Sequence, residues 1–165
     1  MTGGPGCNVN ETLHCPRSKD DEYRTAFATW VIASSPLIVS TDIRNMTSVM
    51  KQCLLNKEAI MINQDYTMPA GKLIGQAECG TGATKDQCPI MHRPLSDGTH
   101  AILLTNLHDD TSQTLKVSFS AFNFSGTATV RDVILQKDLG TASGSYSATL
   151  QPHESALLRI SKQQL

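Results

Sequence analysis

The sequence predicts two unlike parts in one chain: the closing end of an α/β fold, then an antiparallel β domain. Three observations carry this expectation. Apolar residues at helical spacing in "DEYRTAFATWVIASS" stop at Pro36 and lead directly into the unbroken apolar run Leu37-Ile38-Val39. An unbroken run is the habit of strands buried on both faces, as in parallel sheets. After Asp65 the pattern changes to short alternating segments separated by Gly, Pro and Asp-Gly, which is how antiparallel strands and their turns read.

The elements follow in order. Ser18-Lys19-Asp20-Asp21 has the Ser-x-x-Asp form of a helix start, and Asp20, Asp21 and Glu22 place negative charge at the dipole's positive end. That role explains the three acids better than catalysis does. Tyr23, Ala26, Phe27, Trp30 and Val31 form one apolar stripe, so Trp30 is expected in the core and not as a sugar-stacking platform. The helix should end near Ser34 or Ser35, before Pro36. A strand over 37–42 and a helix over 47–57 come next, the latter capped by Thr47 or Ser48 with Val49, Met50, Cys53 and Leu54 inward. "AIMINQD", 59–65, completes this half.

Downstream, "KLIGQAE", "IMHRP", "HAILLTNL", "TLKVSFS", "TATVRDVI", "SYSATL" and "ESALLRI" predict roughly seven antiparallel strands in a small sandwich or barrel. Ser96-Asp97-Gly98 is a turn, because Asp-Gly tolerates positive φ. The expected division is residues 1–66 and 67–165. The first part lacks a partner for its strand, since a parallel neighbour is reached through a crossover connection. Partner strands are therefore expected upstream of Met1.

With a net charge of -1 and a pI near 6.5, the chain offers no electrostatic footprint for nucleic acid or an anionic membrane. No apolar run approaches the roughly 20 residues of a membrane span, and Met1–Gly6 lacks the regions of a signal peptide. Sequons at Asn10, Asn45 and Asn123, with closely spaced cysteines, nevertheless suit a secreted or lumenal protein. Cys7 with Cys15 and Cys79 with Cys88 read as two local disulfides, and Cys53 as a lone buried thiol. The rival reading, a metal site, lacks a CxxC or paired Cys/His spacing, and His14, His92, His100, His108 and His153 are scattered. Neither a metal nor another cofactor is expected.

"EYRTAFATWVIASSPLIVSTDIRNM", "LLNKEAIMINQD" and "VRDVILQKDLGTASGSYSATLQPHESALLRI", in this order, resemble the C-terminal part of glycoside hydrolase family 27, the α-galactosidase or melibiase family. The resemblance implies a (β/α)₈ TIM barrel followed by an antiparallel β-sandwich. Residues 20–35 would be its seventh helix, 37–42 its eighth strand and 47–57 its eighth helix. A complete barrel takes about 250 residues. It also implies a retaining hydrolase of terminal α-linked galactose, secreted or lysosomal/vacuolar, using two aspartates on earlier barrel strands.

Neither aspartate motif occurs here, so no catalytic residue is assigned to this chain and it is expected to be inactive alone. Asp42 ends the predicted eighth strand, and barrel active sites gather at the C-terminal ends of strands. It is a candidate to support the catalytic pair; the plainer expectation is that it pairs with Arg44 or caps the next turn. Asp109-Asp110 reads as a turn. An alternative reading of the whole is a non-catalytic β-sandwich that binds glycan or a partner through 66–165. Nothing in the sequence speaks to oligomeric state.

Overall fold

The computed structural model describes residues 18–39, 41–79 and 86–163, with backbone alone at 78–79 and 86–87. Three short helices pack on one face of a β-sandwich. The helices are α1 (Asp20–Ile32), α2 (Ser48–Leu54) and α3 (Lys57–Asn63), with a 3₁₀ turn at Ile43–Asn45. The strands are β1 (Lys72–Cys79), β2 (Asp86–Pro94), β3 (His100–Thr105), β4 (Gln113–Ser118), β5 (Thr127–Asp132), β6 (Lys137–Ser143), β7 (Ser145–Leu150) and β8 (Ser155–Lys162). Six form an antiparallel sheet in the order β1-β2-β3-β8-β5-β6, and β4 pairs with β7 in a second.

Helix starts follow the expected chemistry. α1 begins one residue later than the Ser-x-x-Asp pattern suggested: Lys19 is the N-cap, and the Glu22 carboxylate accepts from its backbone N–H at 2.7 Å. Thr47 caps α2, its Oγ1 accepting from Met50 N at 3.2 Å. The single helix expected over 47–57 is broken after Leu54, because Asn56 starts α3. Its Oδ1 accepts from Ala59 N at 3.0 Å while its Nδ2 donates to Val133 O at 2.8 Å. This buried amide thus caps a helix and ties it to the sandwich.

The apolar stripe of α1 is rotated from the one expected. Tyr23, Phe27, Ala28, Val31 and Ile32 are buried, whereas Ala26 is exposed and Trp30 is 39% exposed. The helix lies against β3, β8 and the two other helices, and those neighbours select Ala28 and Ile32 in place of Ala26 and Trp30. Where α1 ends, Ser34 takes a left-handed φ of 53°. Gly71 then donates to Ile32 O at 2.8 Å, and a Cβ there would sit 2.6 Å from the same oxygen. Only glycine permits this approach.

Two hydrophobic cores share the six-stranded sheet. Ala101, Leu103 and Leu157 face the helices, meeting Phe27, Val31, Met50 and Ile62. Ile102, Leu104, Leu158 and Ile160 face the smaller sheet, meeting Leu115, Val117, Phe119 and Leu150. The alternation of β3 and β8 therefore serves both sides. Burying each such side chain contributes about 1.5–3 kcal/mol before conformational entropy is subtracted.

Among the described residues there are eight strands where roughly seven were expected. The additional one is β6, an edge strand of polar sequence, largely exposed and with Gly140 at positive φ, so no alternation marks it and Thr141 is its one β-branched residue. The Ser96-Asp97-Gly98 turn forms as expected: Gly98 has φ 79°, and Asp97 Oδ1 accepts from Thr99 N at 2.9 Å.

Polar contacts join the helices to the sheet. Glu58 of α3 accepts from Arg131 Nε at 2.9 Å and lies 3.7 Å from Arg159. Arg131 also binds Asp138 at 2.8 Å, and Arg159 binds Asp97. The buried Arg93 donates to four carbonyl oxygens: Ile62 at 2.6 Å, Asn63 at 3.2 Å, Asp65 at 2.6 Å and Pro69 at 3.1 Å.

Candidate functional site

The segment between α1 and α2 holds Asp42. Pro36 to Val39 forms no strand, a correction to the expected strand over 37–42; Ile38 N instead donates to Pro36 O at 3.2 Å, a tight turn around Leu37. Its physical reason is local: the turn bond interrupts the extended backbone a ladder needs, and the two antiparallel sheets among the described residues are built from strands downstream of Gly71. Leu37 turns inward against the helical core, while Ile38 is 69% and Val39 47% exposed. The sequence of a buried strand is thus displayed at the surface, next to exposed Ile43.

Asp42 follows this segment and does what the plainer expectation said. Its carboxylate accepts from Arg44 Nε and Nη2, both at 2.9 Å, and from Arg44 N at 3.0 Å. It thereby caps the 3₁₀ turn. The guanidinium and amide donors hold the carboxyl below the usual carboxylate range. A side chain so exposed and so held ionised is a poor proton donor.

Other carboxylates are similarly occupied. Burial raises the Asp132 carboxyl above its usual range, the direction a general acid needs. Yet Asp132 is only 7% exposed and its Oδ1 accepts from Leu135 N at 2.8 Å, so it cannot reach a substrate oxygen. Asp109 and Asp110 lie in a bend, Asp110 2.8 Å from His108 and Asp109 3.2 Å from His153.

The remaining sequence candidates fall as follows. Asn45 and Asn123 are exposed, Asn123 with a left-handed φ of 57°. Asn10, Cys7 and Cys15 lie outside the described residues, as does the side chain of Cys79. Cys88 is disulfide-bonded, and its strand runs beside that of Cys79, with Ala77 opposite Cys88. Cys53 is a free, buried thiol whose pKa burial pushes up to about 12, which makes it inert.

The histidines looked scattered, but the structure brings two together. His92 Nε2 and His100 Nδ1 are 2.9 Å apart, and both rings contact Phe122. The signal was available in principle: the two residues lie on either side of the Asp-Gly turn, on strands the turn makes adjacent. Burial and the neighbouring ring pull His92 down to about 4, and burial also lowers His100, against the opposing charge of Asp97. A histidine depressed below its unfolded value of about 6.5 contributes stability that is complete above that pH. The unfolded chain takes up the proton first, so stability falls as pH drops from about 6.5 towards 4. Solvent screening at these half-buried rings limits the loss to about 1–2 kcal/mol. Asp132, with its raised pKa, acts in the opposite sense, so the test is a difference. Urea midpoints at pH 7 and 4.5 should diverge more for the native chain than for His92→Phe; equal slopes would show that the pair carries no linkage.

Comparisons with known proteins match both parts. The family model described as "Alpha galactosidase A" covers residues 15–65, and "Alpha galactosidase C-terminal beta sandwich domain" covers 85–160. An α-galactosidase of Oryza sativa subsp. japonica is 30% identical over 135 residues, which is 81% of this chain and 30% of the rice protein. The crystal structure of α-galactosidase I from Mortierella vinacea matches with a TM-score of 0.73 at 26% identity, over 86% of this chain and 36% of that one. A family 27 β-L-arabinopyranosidase from Geobacillus stearothermophilus gives a TM-score of 0.78 at 20% identity, over 90% of this chain and 32% of that one, a likeness of fold. The chain spans about a third of the length of these relatives.

Proposed function

Since the chain belongs to glycoside hydrolase family 27, the α-galactosidase-like hydrolases, we propose that it supplies the barrel-closing segment and the β-sandwich of an enzyme that hydrolyses terminal α-linked galactose. The observation that carries the reading is the order of the two family matches, 15–65 and then 85–160, with α1 and α2 on either side of the apolar Leu37–Val39. That order fits one step of a barrel, with Leu37–Val39 between two helices at the place of a barrel strand.

In this reading residues 1–66 belong to the barrel and 67–165 to the sandwich. The chemistry is a double displacement by two aspartates supplied by barrel strands that this chain does not contain. Such carboxyl groups stand roughly 5–5.5 Å apart, so that one attacks the anomeric carbon while the other protonates the leaving oxygen and later activates water. This chain's contribution is positional: Asp42 and Arg44 set the turn that leaves the last strand. Exposed Asn45 and Asn123, and the disulfide-bonded state of Cys88, support a secreted or lysosomal/vacuolar location. Among the described residues no helix is long and apolar enough to cross a membrane.

An aryl α-galactoside assay tests this. The 165-residue chain should show no turnover, and a version extended upstream through a full barrel should hydrolyse the substrate. Turnover by the short chain would overturn the placement of both aspartates. An inert extended form would overturn the hydrolase reading and favour a binding module.

A further inference from the structure

The helices cover only part of the six-stranded sheet's outer face. Beside them lie two adjoining grooves, of about 390 and 740 Å³, which meet at Glu58 and Arg159. Both volumes fall within the roughly 300–1,000 Å³ of small-molecule sites. The first runs between the loop after α3 and the β2–β3 turn; the second crosses β5, β6 and β8.

We propose that these grooves bind a neutral saccharide, with Tyr66 as the platform for a sugar ring. Tyr66 lines the first groove and is 91% exposed, an unusual display for a large aromatic side chain in a sequence with only 5% aromatics. A ring of this kind offers its π face to the C–H face of a pyranose while its hydroxyl stays wet. Around it lie apolar Met61 and Leu95, and the polar groups of the lining are already ordered. Asp65 is fixed by Ser96 N at 2.6 Å and by the Thr67 hydroxyl at 2.8 Å. Arg159 is fixed by Thr99 Oγ1 at 3.1 Å and by Asp97.

The charge balance selects the ligand class. Arg131 and Arg159 are answered by Glu58, Asp97 and Asp138, so an anion finds no uncompensated cation there. Each carboxylate oxygen retains acceptor capacity beyond the bonds it makes. Together with the hydroxyls of Thr129, Thr141 and Ser161 along the second groove, these groups suit a ligand that presents many hydroxyls and no charge. Because the groups are held by one another, little ordering cost remains on binding.

The test uses the 165-residue chain and free galactose, read by backbone amide chemical shifts. Saturable shifts are expected at Tyr66, Ser96, Asp97 and Arg159, with a Kd of about 1–10 mM for a ligand of about twelve heavy atoms. Tyr66→Ala should weaken binding about fivefold to tenfold while leaving the fold intact, since the ring is exposed. No saturable shift in the grooves, shifts that Tyr66→Ala leaves unchanged, or equal shifts with glycerol would each overturn the proposal. No turnover is involved, so failure here leaves the hydrolase reading untouched, and failure of the turnover assay leaves this one untouched.

Discussion

Arg93→Ala is expected to destabilise the chain by about 3–5 kcal/mol, which for a protein of this size lowers the melting temperature by about 10 °C or more. The guanidinium is buried, and it satisfies carbonyl oxygens of Ile62, Asn63, Asp65 and Pro69 at the exit from α3. These are the last carbonyls of a short helix and the first of the linker, groups that no helical partner can serve. Alanine removes a planar set of charged donors and leaves the acceptors enclosed, while also vacating the volume of a large side chain. Arg93→Lys should recover only part of the loss, because an ammonium cannot span carbonyls that the fork reaches simultaneously. Urea unfolding of both variants measures this. A loss below about 1 kcal/mol for alanine would mean that water serves the carbonyls equally well.

Asn106→Asp should cost more than Asn106→Ala, although aspartate is the closer match in shape. Asn106 is fully buried just beyond β3. Its Nδ2 faces the carbonyl oxygens of Thr111, Leu150 and Gln151 at 3.0–3.2 Å, and its Oδ1 accepts from His108 N at 2.9 Å. Alanine leaves those groups unmatched, at about 2–3 kcal/mol. Aspartate places a buried anion against three carbonyl dipoles, at about 3–5 kcal/mol at neutral pH. The sign with pH follows: such a carboxyl has a folded pKa raised above its unfolded value of about 3.9. Its penalty is therefore small at acid pH and grows as pH rises through that window. Urea unfolding at pH 4 and pH 7 checks both the order and the trend; an Asp variant as stable as the Ala variant at pH 7 would sink the argument.

Much of the fold was readable because local chemistry and tertiary need agree. Thr47 caps a helix, Asp97-Gly98 turns a hairpin, and the alternation in β3 and β8 matches the two faces they bury. Where reading failed, the deciding partner was distant. Trp30 lies on a helix that offers two apolar faces, and only the packing of α1 against β3 and β8 selects between them. β6 is held by pairing to β5 and not by its own composition. Arg93 and Asn106 look like ordinary polar residues within strand patterns, because the carbonyls that need them come from segments at least 24 and up to 45 positions away, save one.

Asp42 was legible as a residue and as a turn-former, since Arg44 lies two positions away. The His92–His100 contact was legible only in outline: the Asp97-Gly98 turn sets their strands side by side, but the register that brings the two rings together is fixed by the sheet. The buried-strand pattern of Leu37–Val39 was legible as a pattern, but the turn that Ile38 N closes onto Pro36 O was not.

The double-sided sheet has a mechanical consequence. Ala101, Leu103 and Leu157 anchor the helices, while their immediate neighbours Ile102, Leu104 and Leu158 anchor the smaller sheet. A force that tilts α1 must therefore drag β3 and β8, and with them the opposite core. The abrupt change of sequence character at Asp65 is consequently not a hinge. Helices and sandwich are joined through the same two strands, so a load on α1 reaches the far side of the sandwich through β3 and β8.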